Sequence, residues 1–178
     1  MNLETYQNGL LHLVTGNALT IEDAPYLQSL VDSQRLHVVR EVICYWRAYG
    51  LERFSVLVAP YLQSQGCFDA VVQRFVGSAT FSASLAESGK RFLDWLATDG
   101  DPIVESLART ELALHRTQSD RTAVVDVEWP CDPEPLLLAL LAREDLASRA
   151  LTTPQRHRLK VSRSYPRGYL SERVPDPA

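Results

Sequence analysis

Residues 111–129, ELALHRTQSDRTAVVDVEW, contain the change of period on which the fold turns. Upstream of Asp120, apolar residues recur at spacings of three and four: Ile103, Val104, Leu107, Ala108 and Leu114 make one stripe of a helix. Over residues 122–129 the spacing becomes two, with Val125, Val127 and Trp129 on one side and Val124, Asp126 and Glu128 on the other. That is the pattern of a half-buried strand. The expected class is therefore mostly α: a helical domain over residues 1–119, then a small α+β unit over 120–178 with a two- to three-stranded sheet.

The same stretch poses a chemical question, because Glu111 and His115 lie one helical turn apart between Arg109 and Arg116. A metal centre needs further ligands. The other histidines, His12, His37 and His157, stand alone without HxH or HExxH spacing, and Cys44, Cys67 and Cys131 are too scattered for a zinc knuckle or a disulfide framework. The expectation is a structural pair, with His115 packed and held by the neighbouring carboxylate. No Ser/His/Asp set, paired acidic site or glycine-rich phosphate loop occurs either, so neither catalytic residues nor a cofactor are expected in this chain.

Working outward toward the N-terminus, the stretch LQSLVDSQRLHVVREVICYWRAYG (27–50) reads as a helix with Leu27, Leu30, Val31, Leu36, Val39, Ile43 and Trp46 on its apolar face and Gly50 at its end. Pro60 marks a kink or break in the next segment. Phe68, Val71, Val72 and Phe75 share a helical face. A serine caps the segment SASLAESGKRFLDWLATDG, which ends at Gly100, and Asp101 with Pro102 suits the cap and first turn of the following helix.

Toward the C-terminus, Pro130, Pro133 and Pro135 break the chain before an apolar helix in EPLLLALLAREDLASRAL (134–151), begun by Asp132 or Glu134 with Pro135. HRLKVSRSY (157–165) alternates again, with Leu159 and Val161 inward and Arg158, Lys160 and Ser162 outward. PRG (166–168) reads as a turn into a last short strand, YLSERV. Charge divides along this region. Asp126, Glu128, Asp132, Glu134, Glu144 and Asp145 precede Arg156, Arg158, Lys160, Arg163, Arg167 and Arg173. Cross-strand pairing of Asp126 and Glu128 with Arg158 and Lys160 accounts for part of this division.

With 178 residues, 46% hydrophobic and 22% charged, the chain has the composition of a globular protein. No apolar run approaches the roughly 20 residues of a membrane helix, and the opening MNLETYQNGLLHLVTGN lacks the layout of a signal peptide, so the expected location is the cytoplasm. A net charge of −4 argues against a general nucleic-acid binder.

In order and spacing, CFDAVVQRFV, SGKRFLDWLA and ESLARTELALHR resemble the N-terminal helical domain of the HvfC-like family, often labelled DNA-binding, over roughly residues 35–118. Relatives of that family, the methanobactin subunit MbnC and the 3-thiaglutamate subunit TglI among them, accompany multinuclear non-heme iron-dependent oxidases that modify ribosomally made peptides. The C-terminal part is shorter than the common family pattern and is most similar to the peptide-modifying members such as TglI. The resemblance implies a non-catalytic accessory subunit, in a heterodimer with an iron oxidase that carries the metal. A winged-helix-like unit would hold the leader of the precursor peptide, with a C-terminal cysteine as one candidate for the residue modified. Its implied groove lies between Leu137, Leu140 and Leu141 and the strand at Leu159 and Val161, with Arg158, Lys160 and Arg163 attracting an acidic peptide. Tyr45, Trp46, Tyr49 and Trp95 would supply the partner interface. Two alternatives stand beside this one. The first is a winged-helix DNA-binding regulator with Arg163 and Arg167 on phosphate, against which the acid-rich apolar helix counts; the second is a helical scaffold protein.

Overall fold

The switch from helix to strand is built on Asp120, whose carboxylate accepts from both the backbone N–H (2.9 Å) and the hydroxyl (2.7 Å) of Thr122. This turn ends one helix and aims the next residues into a sheet. The computed structural model describes residues 3–15, 27, 29–31, 33–78, 84–98, 100–144, 146 and 154–175. Among them the elements run α1 (Leu3–Thr15), α2 (Gln34–Phe54), α3 (Val58–Ser64), α4 (Phe68–Ser78), α5 (Leu85–Leu96), α6 (Pro102–Ser119), β1 (Val125–Cys131), α7 (Glu134–Ala142), β2 (Pro154–Val161) and β3 (Tyr169–Arg173). The fold is mostly helical and closes with a three-stranded antiparallel sheet in the order β1-β2-β3. No described helix is long and apolar enough to cross a membrane.

One continuous core joins the helices to the sheet. Leu51, Val58, Leu62, Phe68, Val72, Phe75, Phe92, Leu93 and Leu96 meet Val104, Leu107 and Ala108 of α6. On the other side of α6 lie Val127, Trp129, Leu136, Leu137, Leu140, Leu159 and Val161. A smaller cluster, Leu13 and Leu27 with Tyr6, Leu10 and Leu36, pins α1 to the start of α2, where Arg40 Nε donates to the Leu13 carbonyl at 2.7 Å.

Several expectations need correction. Gly50 does not end its helix; α2 continues to Phe54 and begins only at Gln34. The glycine serves close packing instead. A Cβ at Gly50 would meet Leu85 Cδ1 at 2.7 Å, and one at Gly89 of α5 would sit 2.2 Å from the Phe54 ring. The two glycines thus let α2 and α5 cross at short range. Leu27 lies before that helix and is buried, Leu30 and Val31 lie in a turn and are exposed, and Val39 and Trp46 are exposed too, so most of the stripe read from the sequence is not a buried face.

Pro60 sits in the first turn of α3, where no N–H is needed, and the break falls earlier, at residues 55–57. Pro130 does not stop its strand, because it lies on the outer side of an edge strand, and the ladder is irregular between Trp129 and Cys131. The last helix stops at Ala142, with Arg143 in the left-handed region (φ 53°) as its cap; Asp145 and residues 147–151 lie outside the described residues. Ser162 is buried rather than outward, bonded to Ser164 Oγ at 3.0 Å. The cap at Asp101 and the turn before β3 stand as expected; the serine cap falls on Ser84, and α5 ends at Leu96, before Gly100.

Replacement of Gly89 by alanine is expected to destabilise the fold by about 1–3 kcal/mol, the usual cost of overpacking. Gly77→Ala, at a site with nothing within 4 Å, is expected to leave stability unchanged or raise it by up to about 1 kcal/mol. Urea denaturation of the two variants against the parent chain measures both.

Candidate binding surfaces

Glu111 and His115 are not held by each other. Glu111 is 1% exposed, and its carboxylate accepts from the backbone N–H groups of Leu57 (3.3 Å) and Val58 (3.2 Å). Those are orphan donors of the first turn of α3, a helix with no side-chain cap of its own. Glu111 is thus a cap supplied from another helix. Burial drives its pKa up from 4.5 to about 7, against the lowering effect of the bonds from Val58, Leu57 and Val56. His115 is a packing residue, as expected, but its partner is Phe54 rather than a carboxylate. The rings stack at 4.4 Å, and burial holds the imidazole below its ordinary range. No group of three or more His, Cys, Asp or Glu able to hold a metal occurs among the described residues.

The register of the sheet decides which backbone groups are free. Asp126 stands opposite Lys160, and Glu128 opposite Arg158, as the charge pattern suggested. Two ion pairs fall diagonally across the sheet, Arg156 with Glu128 at 3.7 Å and Lys160 with Glu172 at 2.8 Å, while Arg167 in the turn before β3 pairs with Glu134 of α7. Among the described residues, no ion pair claims Arg158 or Arg163.

Between β2 and β3, Ser162 N–H donates to the Gly168 carbonyl and Val174 N–H to the Arg156 carbonyl, each at 2.9 Å. Hydrogen-bonded positions alternate along an antiparallel ladder. Gly168, Leu170, Glu172 and Val174 therefore turn their main-chain groups toward β2, while Tyr169, Ser171 and Arg173 turn theirs outward. The opposite edge is blunted. On β1 the Glu128 carbonyl already accepts from Ser106 Oγ at 3.1 Å, and Pro130 has no N–H to offer.

The apolar residues assigned to a groove divide sharply. Leu137, Leu140, Leu159 and Val161 are buried at 0–3% exposure, because α7 and β2 spend them on the common core, whereas Leu141 is 64% exposed. Leu140 and Leu141 instead border a cleft of about 660 Å3 whose other wall is Tyr49, Arg53, Val56 and Pro60, with Arg143 at its end. Arg53 donates to the Tyr49 hydroxyl at 2.8 Å.

Running away from this cleft along α2, Val38, Val42, Tyr45 and Tyr49 form an exposed stripe, flanked by Val39 and Trp46; Tyr45 and Trp46 are 65% and 62% exposed. Tyr45, Trp46 and Tyr49 touch in edge-on pairs at 5.8 and 5.9 Å. Trp95 lies elsewhere, among Phe75 and Phe92 with Arg74 over its ring at 4.8 Å. The cleft and the outward main chain of β3 were not legible in the sequence, which carries no signal for backbone direction before the register is known.

Comparisons with protein-family models, with curated proteins and with solved structures find no match to this chain.

Glu111 makes stability depend on pH in a defined direction. A carboxyl whose folded pKa is raised contributes stability below its unfolded value of 4.5, and that stability is lost as pH rises through about 7. Complete ionisation then costs roughly 3 kcal/mol. His115 acts in the opposite sense, but only below its ordinary 6.5. The part of the unfolding free energy that depends on Glu111 is expected to fall between pH 4.5 and 7 and to level off above, and the difference between the parent chain and Glu111→Gln isolates it; urea denaturation of both from pH 4.5 to 8 is the check.

Proposed function

We propose that this chain is a non-catalytic subunit that takes the leader of a ribosomally made precursor peptide as a fourth strand along β3 and presents it to a multinuclear non-heme iron oxidase. The observation that carries this reading is the asymmetry of the sheet. One edge is blunted by Ser106 and Pro130, while the other offers the outward main chain of Tyr169, Ser171 and Arg173. Main-chain bonds along such an edge supply affinity, and side chains beside it supply selectivity. Arg158 and Arg163, which no ion pair claims among the described residues, favour an acidic leader and speed its encounter. The oxidase would carry the iron and dock on the exposed aromatic stripe of α2, where rigid aromatic side chains give large contact area. The resemblance of residues 35–118 to the HvfC-like family supports the partner's chemistry.

Two variants separate backbone from charge. Ser171→Pro removes an outward N–H without breaking a main-chain bond to β2, and Ser171→Ala controls for the hydroxyl contact with His157 Nδ1 at 3.0 Å that it also loses; calorimetric titration with the precursor leader is expected to show at least a tenfold greater loss of affinity for proline than for alanine while circular dichroism keeps its shape. Combined Arg158, Lys160 and Arg163 to Glu is expected to weaken binding with the fold retained; unchanged affinity in the folded triple variant would remove the basic face from the docking site. Turnover of the peptide by the oxidase is expected only with this chain present, and elemental analysis of the isolated chain is expected to find no stoichiometric iron.

A further inference from the structure

The α2–α3 junction is short and is fastened from a distant helix. Residues 55–57 link a 21-residue helix to a seven-residue one. The junction is held by the bonds that Leu57 and Val58 make to Glu111, on a helix more than 50 positions away. Ser55 is wholly buried at its start, and among the described residues neither the Ser55 hydroxyl nor His115 Nε2 has a hydrogen-bond partner. Val56 and Pro60, on either side of the bonded amides, form a wall of the cleft that leads to the α2 stripe. A buried carboxyl, with no ion-pair partner among the described residues, thus fastens this junction to the wall of an open cleft.

We propose that Glu111 is a proton-controlled latch on this junction: neutral, it lets the junction stay closed, and ionised, it favours local opening of residues 55–58 and so loosens the cleft wall. As regulation of the docking surface, this rests on the preceding reading of that surface; as a property of the junction, it does not.

The direction follows from solvation. Opening returns the carboxyl to water and to its ordinary value of 4.5, so ionisation is easier in the open form, and the open population grows with pH until the closed form also ionises near 7. Growth is about tenfold for each pH unit in that interval.

The neighbouring titratable groups do not reverse this. His115 on α6 is stacked on Phe54 and biased toward neutrality, and Tyr61 on α3 is raised by burial. Glu52 and Arg53 on α2, and Arg143 and Glu144 after α7, line the cleft beyond Val56. Among the described residues none forms an ion pair with Glu111.

Amide hydrogen exchange of the isolated chain between pH 5.5 and 7 tests the latch. Base-catalysed exchange alone rises tenfold per pH unit, so the amides of Leu57 and Val58 are expected to rise about a hundredfold per unit. They are also expected to exchange faster than the α6 amides of Leu107 and Ala108, which report global unfolding. Glu111→Gln is expected to return the junction to tenfold. Tenfold behaviour in the parent chain, or junction amides that exchange only as fast as those of Leu107 and Ala108, would overturn the proposal, as would a hundredfold slope persisting in a folded Glu111→Gln chain. Should that variant not fold, the parent slopes decide alone. Precursor leader and oxidase are absent throughout, so failure of either to bind leaves this result standing, and a negative result here leaves the peptide reading untouched.

Discussion

A row of polar side chains along α6, Ser106 and Thr110 turned toward the sheet and Glu111 toward α3, sets the constraint on which the other elements depend. Ser106 reaches the Glu128 carbonyl of β1, Thr110 accepts from Trp129 Nε1 at 3.1 Å, and Glu111 caps α3. Each is almost completely buried, and a buried polar group without its partner costs more than the bond itself returns. The row therefore specifies position where apolar packing alone would tolerate sliding. Trp129 enters the core at one height on α6, and the start of α3 is fixed one residue further along that helix. The close crossing of α2 and α5 at Gly50 and Gly89 then settles the remaining helices around it.

From this arrangement follows the unequal treatment of the sheet. Packing β1 against α6 brings Ser106 onto its outer main chain and removes that edge from use. The register leaves β3 at the far side, where only alternate residues have bonded neighbours. An open edge beside a basic surface is a hazard for a free protein, since it invites pairing with other strands. Its retention here is economical if a strand is meant to be added. The exposed valines and aromatics of α2 lie on a different element from that edge, which suits a subunit that holds a peptide with one surface and a partner with another.

How much of this was legible in the sequence depended on whether a feature was local. The period change after Asp120, the caps at Ser84 and Asp101 and the opposition of acidic and basic strand faces are encoded within a few residues, and they were readable. Glu111 stands out in the sequence by its spacing to His115, yet its partners Leu57 and Val58 lie more than 50 positions away and are backbone groups with no sequence signature. Gly50 was misread because a glycine that ends a helix and a glycine that admits a neighbouring side chain look alike in one chain. Leu137, Leu140, Leu159 and Val161 were apolar enough for either a groove or a core, and only the packing of α7 and β2 against α6 sends them inward.

The account's central claim is that β3 receives a peptide through its outward main chain. Nuclear magnetic resonance exchange measurements on the chain with and without the precursor leader test it at single residues. The account predicts that the amides of Tyr169, Ser171 and Arg173 gain protection on binding, while those of Leu170 and Glu172, already turned toward β2, change little. Protection appearing instead at Asp126 and Glu128 on β1, or no alternation along β3 in a chain that binds the leader, would contradict it.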